Sequence, residues 1–142
     1  MTKYPVSFFG HAQATSGIEN NWSTQASDYE LKCAVPKEFD GGGQGLSPED
    51  LYLLALQNCF IGTFKVYAHY SKLQFDKIEM KSELVVDLDD SKKPIMRKII
   101  LHIDIFNASD LKKSQLLAKK ALDNGFILQS VKTEIISEIQ YL

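Results

Sequence analysis

Arginine is nearly absent from this 142-residue chain. Arg97 stands alone among 16 basic residues, and 18 acidic residues leave a net charge of -2. A nucleic-acid binder concentrates positive charge, so this balance argues against that class. A protein that grips phosphates or carboxylates bidentately normally draws on more guanidinium than this. Histidine is sparse as well. His11, His69 and His102 stand far apart, and there is neither a CxxC nor an HExxH. With no ligand-type residues at metal-ligand spacing, no metal and no other cofactor is expected. The most apolar region, Leu51 to Ala68, is interrupted by Gln57, Asn58, Thr63 and Lys65 and is too polar to span a membrane. The opening Met-Thr-Lys-Tyr-Pro-Val-Ser has no apolar core and no small-residue cleavage site, so no secretory signal is read there. Cysteine occurs only at Cys33 and Cys59. Without a signal, those two point to reduced thiols in the cytoplasm rather than to a structural disulfide.

What is present is an ordinary globular composition, with 44% apolar and 24% charged residues. At this length a single domain over residues 1–142 can bury a real core without disulfide or metal. Alternation predicts a strand from Tyr4 to Ala14, a turn through Asn21, a short strand over residues 22–26, and another from Tyr29 to Val35. Leu31, Cys33 and Val35 share one face of the last. Pro36 ends it, and residues 41–45, Gly-Gly-Gly-Gln-Gly, demand a flexible or tightly bent loop that delivers the chain to a helix. Ser47 is a fitting N-cap, Pro48 suits the first helical position, and Glu49 and Asp50 complement the positive end of the dipole. Asp50 three residues after Ser47 makes a variant capping box. No breaker follows until about Lys72, and 25 residues at the helical rise span roughly 37 Å. Leu51 to Leu56 is apolar on every side, which predicts burial on every side.

Two long alternating strands follow, residues 76–88 and 96–106, joined by a charged turn. A second helix over residues 110–123 is capped by Ser109 or Asp110 and stops at Asn124-Gly125. A short apolar turn and a closing strand over residues 133–142 complete the chain, with Ile135, Ile139 and Tyr141 inward. Strands and helices are segregated, so the class is α+β, an antiparallel sheet packed on a long central helix. So short a chain cannot cover a helix that is apolar all round. A homodimer that buries two such helices together solves the problem.

Chemistry has few places to live. Cys59 falls mid-helix, with small residues Ala55, Gly62 and Thr63 one turn away on its face. The ordinary reading of such a cysteine is a small buried hydrophobe, and mid-helix position denies it help from the helix dipole. Cys33, on an apolar strand face, reads as core packing. The Gly-rich loop is neither a Walker A nor a Rossmann fingerprint.

Residues 35–51, Val-Pro-Lys-Glu-Phe-Asp-Gly-Gly-Gly-Gln-Gly-Leu-Ser-Pro-Glu-Asp-Leu, resemble the osmotically inducible protein C (OsmC) and organic hydroperoxide resistance (Ohr) superfamily. There a proline-ended strand and a Gly-rich loop precede Ser/Asn-Pro-Glu and a long apolar helix. A cysteine follows ten residues after the Glu, here Glu49 and Cys59. The order of elements matches over about 130 residues. The resemblance implies an intertwined homodimer with sheets wrapped round two central helices. It also implies thiol-dependent reduction of small organic hydroperoxides, with Cys59 attacking the O–O bond. A second cysteine on the second helix then forms a disulfide, and an arginine from the N-terminal strands, held by the glutamate, stabilises the thiolate. This sequence departs from the pattern twice. The second cysteine would fall between Ala121 and Ile127, best at Gly125, and none is there. The arginine would fall between Ile18 and Ser23, nearest Asn20, and none is there. Ten helical residues span roughly 15 Å, so Glu49 does not reach Cys59 along one straight helix.

Three readings follow. One is a single-cysteine peroxidase with Cys59 and Glu49 as its site, regenerated by an external thiol reductant. Another is a family member without peroxidase chemistry that binds a small apolar ligand at the dimer interface. The third is a thioesterase-like protein with Glu49 or Asp50 as base. None calls for nucleic acid or a membrane as partner.

Overall fold

The computed structural model describes every residue, 1–142, in two compact units, residues 1–51 and 52–142. The N-terminal unit holds strands β1 (Gly10–Gln13), β2 (Trp22–Ala26) and β3 (Tyr29–Cys33) in an antiparallel meander of order β1-β2-β3. The strand predicted from Tyr4 is therefore much shorter. Gly10 pairs with Ala26, and the chain turns at Ser27 (φ 56°). The alternating residues before Gly10 thus have no partner backbone in this sheet, and alternation without a partner makes no strand. Phe8 and Phe9 are 93% and 81% exposed. Leu31, on the same strand face as Cys33, is 43% exposed, whereas Cys33 is buried as expected.

After Pro36 the chain makes a 3-10 turn, Lys37–Phe39, and enters the glycine loop. A Cβ on Gly41 would collide with the Val35 carbonyl, and one on Gly42 with the Glu19 carbonyl. The loop is glycine-rich because backbone passes backbone there at close range. It ends in a reciprocal cap. The Asp50 N–H donates to Ser47 Oγ at 3.0 Å, and the Ser47 N–H donates to Asp50 Oδ2 at 2.9 Å. Helix α1 (Pro48–Tyr70) starts here.

All but the first turn of α1 belongs to the C-terminal unit, with β4 (Lys77–Leu88), β5 (Pro94–Phe106), α2 (Leu111–Asn124) and β6 (Glu134–Tyr141). α1 stops two residues before Lys72, which adopts the left-handed conformation (φ 55°). The Leu73 N–H donates to the Ala68 carbonyl and the Lys72 N–H to the His69 carbonyl, a Schellman close. The sheet order is β4-β5-β6. β4 and β5 form the expected hairpin, whose tip is tied by Asp89 Oδ1 accepting from the N–H groups of Ser91 and Lys93. β6 departs from the wholly antiparallel sheet of the sequence reading: it pairs parallel to β5. Its connection crosses over through α2, and a crossover that returns to the same end lays the next strand parallel.

The core forms where three apolar stripes meet. Leu56, Phe60, Phe64 and Ala68 recur every fourth residue on α1. Ile99, Leu101, Ile103 and Ile105 alternate on β5, and α2 adds Leu117, Ala118 and Ala121. Phe60 stacks on Phe64 with centroids 5.8 Å apart, and Phe64 meets Phe75 edge-on at 5.4 Å. The all-round burial predicted for Leu51 to Leu56 is not reached in one chain. Only Leu56 is fully buried there; the other five are half-buried. α2 is capped by Asp110, whose Oδ1 accepts from the Lys113 N–H at 2.9 Å. No helix is long and apolar enough to cross a membrane.

Candidate functional site

α1 carries both candidate residues, Glu49 in its first turn within the N-terminal unit and Cys59 at its middle within the C-terminal one. Glu49 follows Pro48 because the Ser47–Asp50 cap fixes the helix start at that register. Its Oε2 is buried and has no hydrogen-bond partner. A carboxylate oxygen removed from water without a donor is costly, and such groups concentrate at functional sites.

Cys59 is half-buried and free. Next to it the structure brings the end of α2. A Cβ built on Gly125 would stand 2.8 Å from Cys59 Sγ, 3.0 Å from the Ala121 carbonyl oxygen and 3.1 Å from Leu128 Cδ1. Gly125 caps α2 with φ -60° and ψ 126°, angles that any residue adopts. What crowds a side chain at this position is therefore the sulfur and the Ala121 carbonyl beside it, not its φ and ψ. This is the position where the resemblance would place a second cysteine, and it is the wall against which the thiol rests. On α1, one turn beyond Cys59, a Cβ on Gly62 would meet nothing within 4 Å. The thiol itself has a packed side at Gly125. The chemistry available is that of a single thiol: nucleophilic attack and reversible oxidation.

Cys33 is unlike it. It is 1% exposed, and burial pushes its thiol up from the ordinary value. It lies on β3, where it pairs opposite Trp22 in a different unit from Cys59. Arg97 is committed elsewhere, donating from Nη2 to the Leu88 carbonyl at 2.6 Å with Nε 3.8 Å from Asp87. No group of three or more His, Cys, Asp or Glu stands close enough to hold a metal ion.

A family model described as OsmC-like protein matches residues 41–140, from the glycine loop to the closing strand. The chain belongs to the OsmC-like family. Among curated proteins this OsmC-like chain is 26% identical over 111 residues to an uncharacterised protein, YmaD, of Bacillus subtilis strain 168, covering 75% of this chain and 74% of that one. It is 32% identical over 83 residues to an organic hydroperoxide resistance protein of Xanthomonas axonopodis pv. citri, covering 58% of this chain and 55% of that protein's length. Among solved structures it matches an OsmC-like protein of unknown function from Vibrio cholerae O1 biovar eltor. There the TM-score is 0.82 at 15% identity, with 96% of this chain and 100% of that one covered. That likeness fixes the α+β fold of two helices and two sheets. Sequence reasoning singled out Cys59 and Glu49 as candidates and noted that no cysteine stands at 125. It missed that Gly125 touches the sulfur, since nothing local records contacts between residues 66 positions apart.

Proposed function

We propose that this OsmC-like chain reduces organic hydroperoxides through Cys59, with no internal resolving cysteine, as a homodimer. The observation that carries the reading is the half-buried Cys59 thiol set against Gly125, where no second sulfur is available. The Xanthomonas relative, named for organic hydroperoxide resistance, supports it at the level of reaction class. Cys59 Sγ, as thiolate, attacks the terminal peroxide oxygen. The O–O bond breaks, the alcohol leaves with a proton, and the sulfur becomes a sulfenic acid. An external thiol attacks that sulfur and water leaves. A second external thiol then releases Cys59 as thiolate and carries the disulfide away. Two thiols and one hydroperoxide yield one disulfide, one alcohol and one water. Glu49 enters as a positioning residue taken from the family motif, and its unpartnered Oε2 is an acceptor still in need of a donor.

The dimer rests on exposed apolar surface. Tyr4, Val6, Phe8, Phe9 and Ile18 on the N-terminal unit are 48–93% exposed, and Val66 on α1 is 52% exposed. A second copy of the chain is the partner proposed to cover them. The thiol chemistry is tested with one equivalent of cumene hydroperoxide, followed by free-thiol counting and intact mass. The expected result is loss of one thiol per chain, gain of one oxygen at Cys59, and recovery on adding a small-molecule thiol. Loss of two thiols with a two-hydrogen mass decrease would show Cys33 resolving Cys59. No oxidation of Cys59 would overturn the peroxidase and favour the second reading, an apolar-ligand protein, which the missing arginine and missing second cysteine support.

A further inference from the structure

A cleft of about 570 Å3 opens in the C-terminal unit where the start of β5 faces the segment leading into β6. That volume lies within the range of small-molecule sites. Tyr52 and Thr133 line it, and their hydroxyl oxygens stand 2.6 Å apart in a hydrogen bond. Two hydroxyls bring two protons, and one such bond consumes one of them. Whichever residue donates, one hydroxyl proton at the cleft wall has no acceptor within the chain. Thr133 is only 9% exposed, so water access to that pair is restricted.

Two cations line the same cleft. Lys132 makes no ion pair. Arg97 directs Nε toward Asp87 and one Nη2 hydrogen at the Leu88 carbonyl, which leaves further N–H donors of its guanidinium unspent. The remaining lining includes Met96 and Val131, which are apolar. An unspent hydroxyl proton, an unpaired lysine and an arginine with spare N–H donors, set beside an apolar flank, are complementary to one chemistry.

We propose that this cleft binds a small organic anion, a carboxylate or phosphate ester with a compact apolar body. Its anionic oxygen accepts the free proton of the Tyr52–Thr133 pair, Lys132 and Arg97 balance its charge, and its apolar body lies on Met96 and Val131. The proposal does not rest on the chemistry of Cys59. The test is an amide chemical-shift titration of the full chain with benzoate and phenyl phosphate, with benzamide and inorganic phosphate as controls. Saturable shifts at Tyr52, Met96, Lys132 and Thr133 are expected with both organic anions, and the tighter of the two identifies carboxylate or phosphate as the natural group. Lys132→Gln, an exposed change that leaves the fold intact, should weaken both by about fivefold, the scale of one exposed charge pair. Arg97→Gln should weaken them further. Benzamide binding as tightly as benzoate would overturn the anionic character, and inorganic phosphate matching phenyl phosphate would overturn the apolar subsite. Shifts indifferent to Lys132→Gln, or no saturable shifts at these residues, would overturn the site.

Discussion

The two compact units differ in what holds them. The C-terminal unit closes on thirteen buried residues, eleven from two helices and a sheet and two, Leu73 and Leu128, from the turns that follow the helices. Among its hydrophobic residues the N-terminal unit fully buries Cys33 and Ala34, and it leaves Tyr4, Val6, Phe8, Phe9, Ile18, Tyr29, Leu31 and Phe39 exposed. Its sheet is stitched by backbone pairing and by side chains such as Ser23 and Glu30, which hydrogen bond across strands. Backbone pairing alone gives little net stability in water, and a small sheet needs an apolar face packed on something. The contrast teaches that one unit closes its own apolar core, whereas the other leaves most of its large apolar side chains exposed.

The contrast breaks most easily at the core. Phe64→Ala should cost about 3–5 kcal/mol in urea-induced unfolding, since it empties the centre of the aromatic cluster. A loss below about 1 kcal/mol would erase the distinction between the units. Gly125→Ala should cost about 1–3 kcal/mol, because the new methyl lands against Cys59 Sγ and the Ala121 carbonyl with no slack. Combining it with Cys59→Ala should recover part of that loss, and an additive double mutant would show the sulfur is not the obstacle. Ser47→Ala should cost about 1 kcal/mol and speed exchange of the Asp50 amide, whose acceptor it removes. Phe8→Ser should change the unfolding free energy of the isolated chain by less than about 0.5 kcal/mol. The same substitution should lower the mass seen by sedimentation at micromolar concentration from about 32 kDa, twice the 16.0 kDa chain, toward the monomer. A wild-type chain that sediments as a monomer would remove the reason for the exposed aromatics.

A pH titration sharpens the contrast between hairpin and strand. The Ser91 hydroxyl, followed by backbone N–H donors, holds the Asp89 carboxyl below the usual carboxylate range. Its contribution is present above the unfolded-state value and is lost as pH falls through the lower folded one. Protection of the β4–β5 turn amides, exchange measured relative to the intrinsic rate at each pH, should therefore fall below about pH 4, and Asp89→Asn should abolish that dependence. Cys33 runs the other way. Its raised value means that folding opposes ionisation, so stability falls as pH rises past the ordinary thiol range toward the folded value. Iodoacetamide should accordingly label Cys59 well before Cys33 in the folded protein.

Local signals were the legible ones. The Ser47–Pro48–Asp50 start, the Asp110 cap, the Asn124-Gly125 stop and the two long strands need only propensity and period, and each appears within a residue or two of its reading. Tyr4–Ala14 failed because alternation states which face a residue takes and not whether a neighbouring strand exists. The direction of β6 was hidden because its partner is set by the path through α2. Cys59 and Glu49 were nominated as candidates through one motif. The packing of Gly125 on Cys59, and of Tyr52 on Thr133 across 81 positions, depends on how helix ends are delivered in space.

That last contact at Cys59 also sets a mutational distance. Across a disulfide, the Cβ of one cysteine lies about 3.0 Å from the sulfur of the other, given an S–S bond of about 2.04 Å. The Cβ position of Gly125 lies 2.8 Å from Cys59 Sγ. A methyl there is an intruder, but a second sulfur is nearly at bonding range. Gly125→Cys would therefore place a second sulfur near disulfide range of Cys59 in the space between α1 and α2, with the backbone angles at 125 already open to any residue.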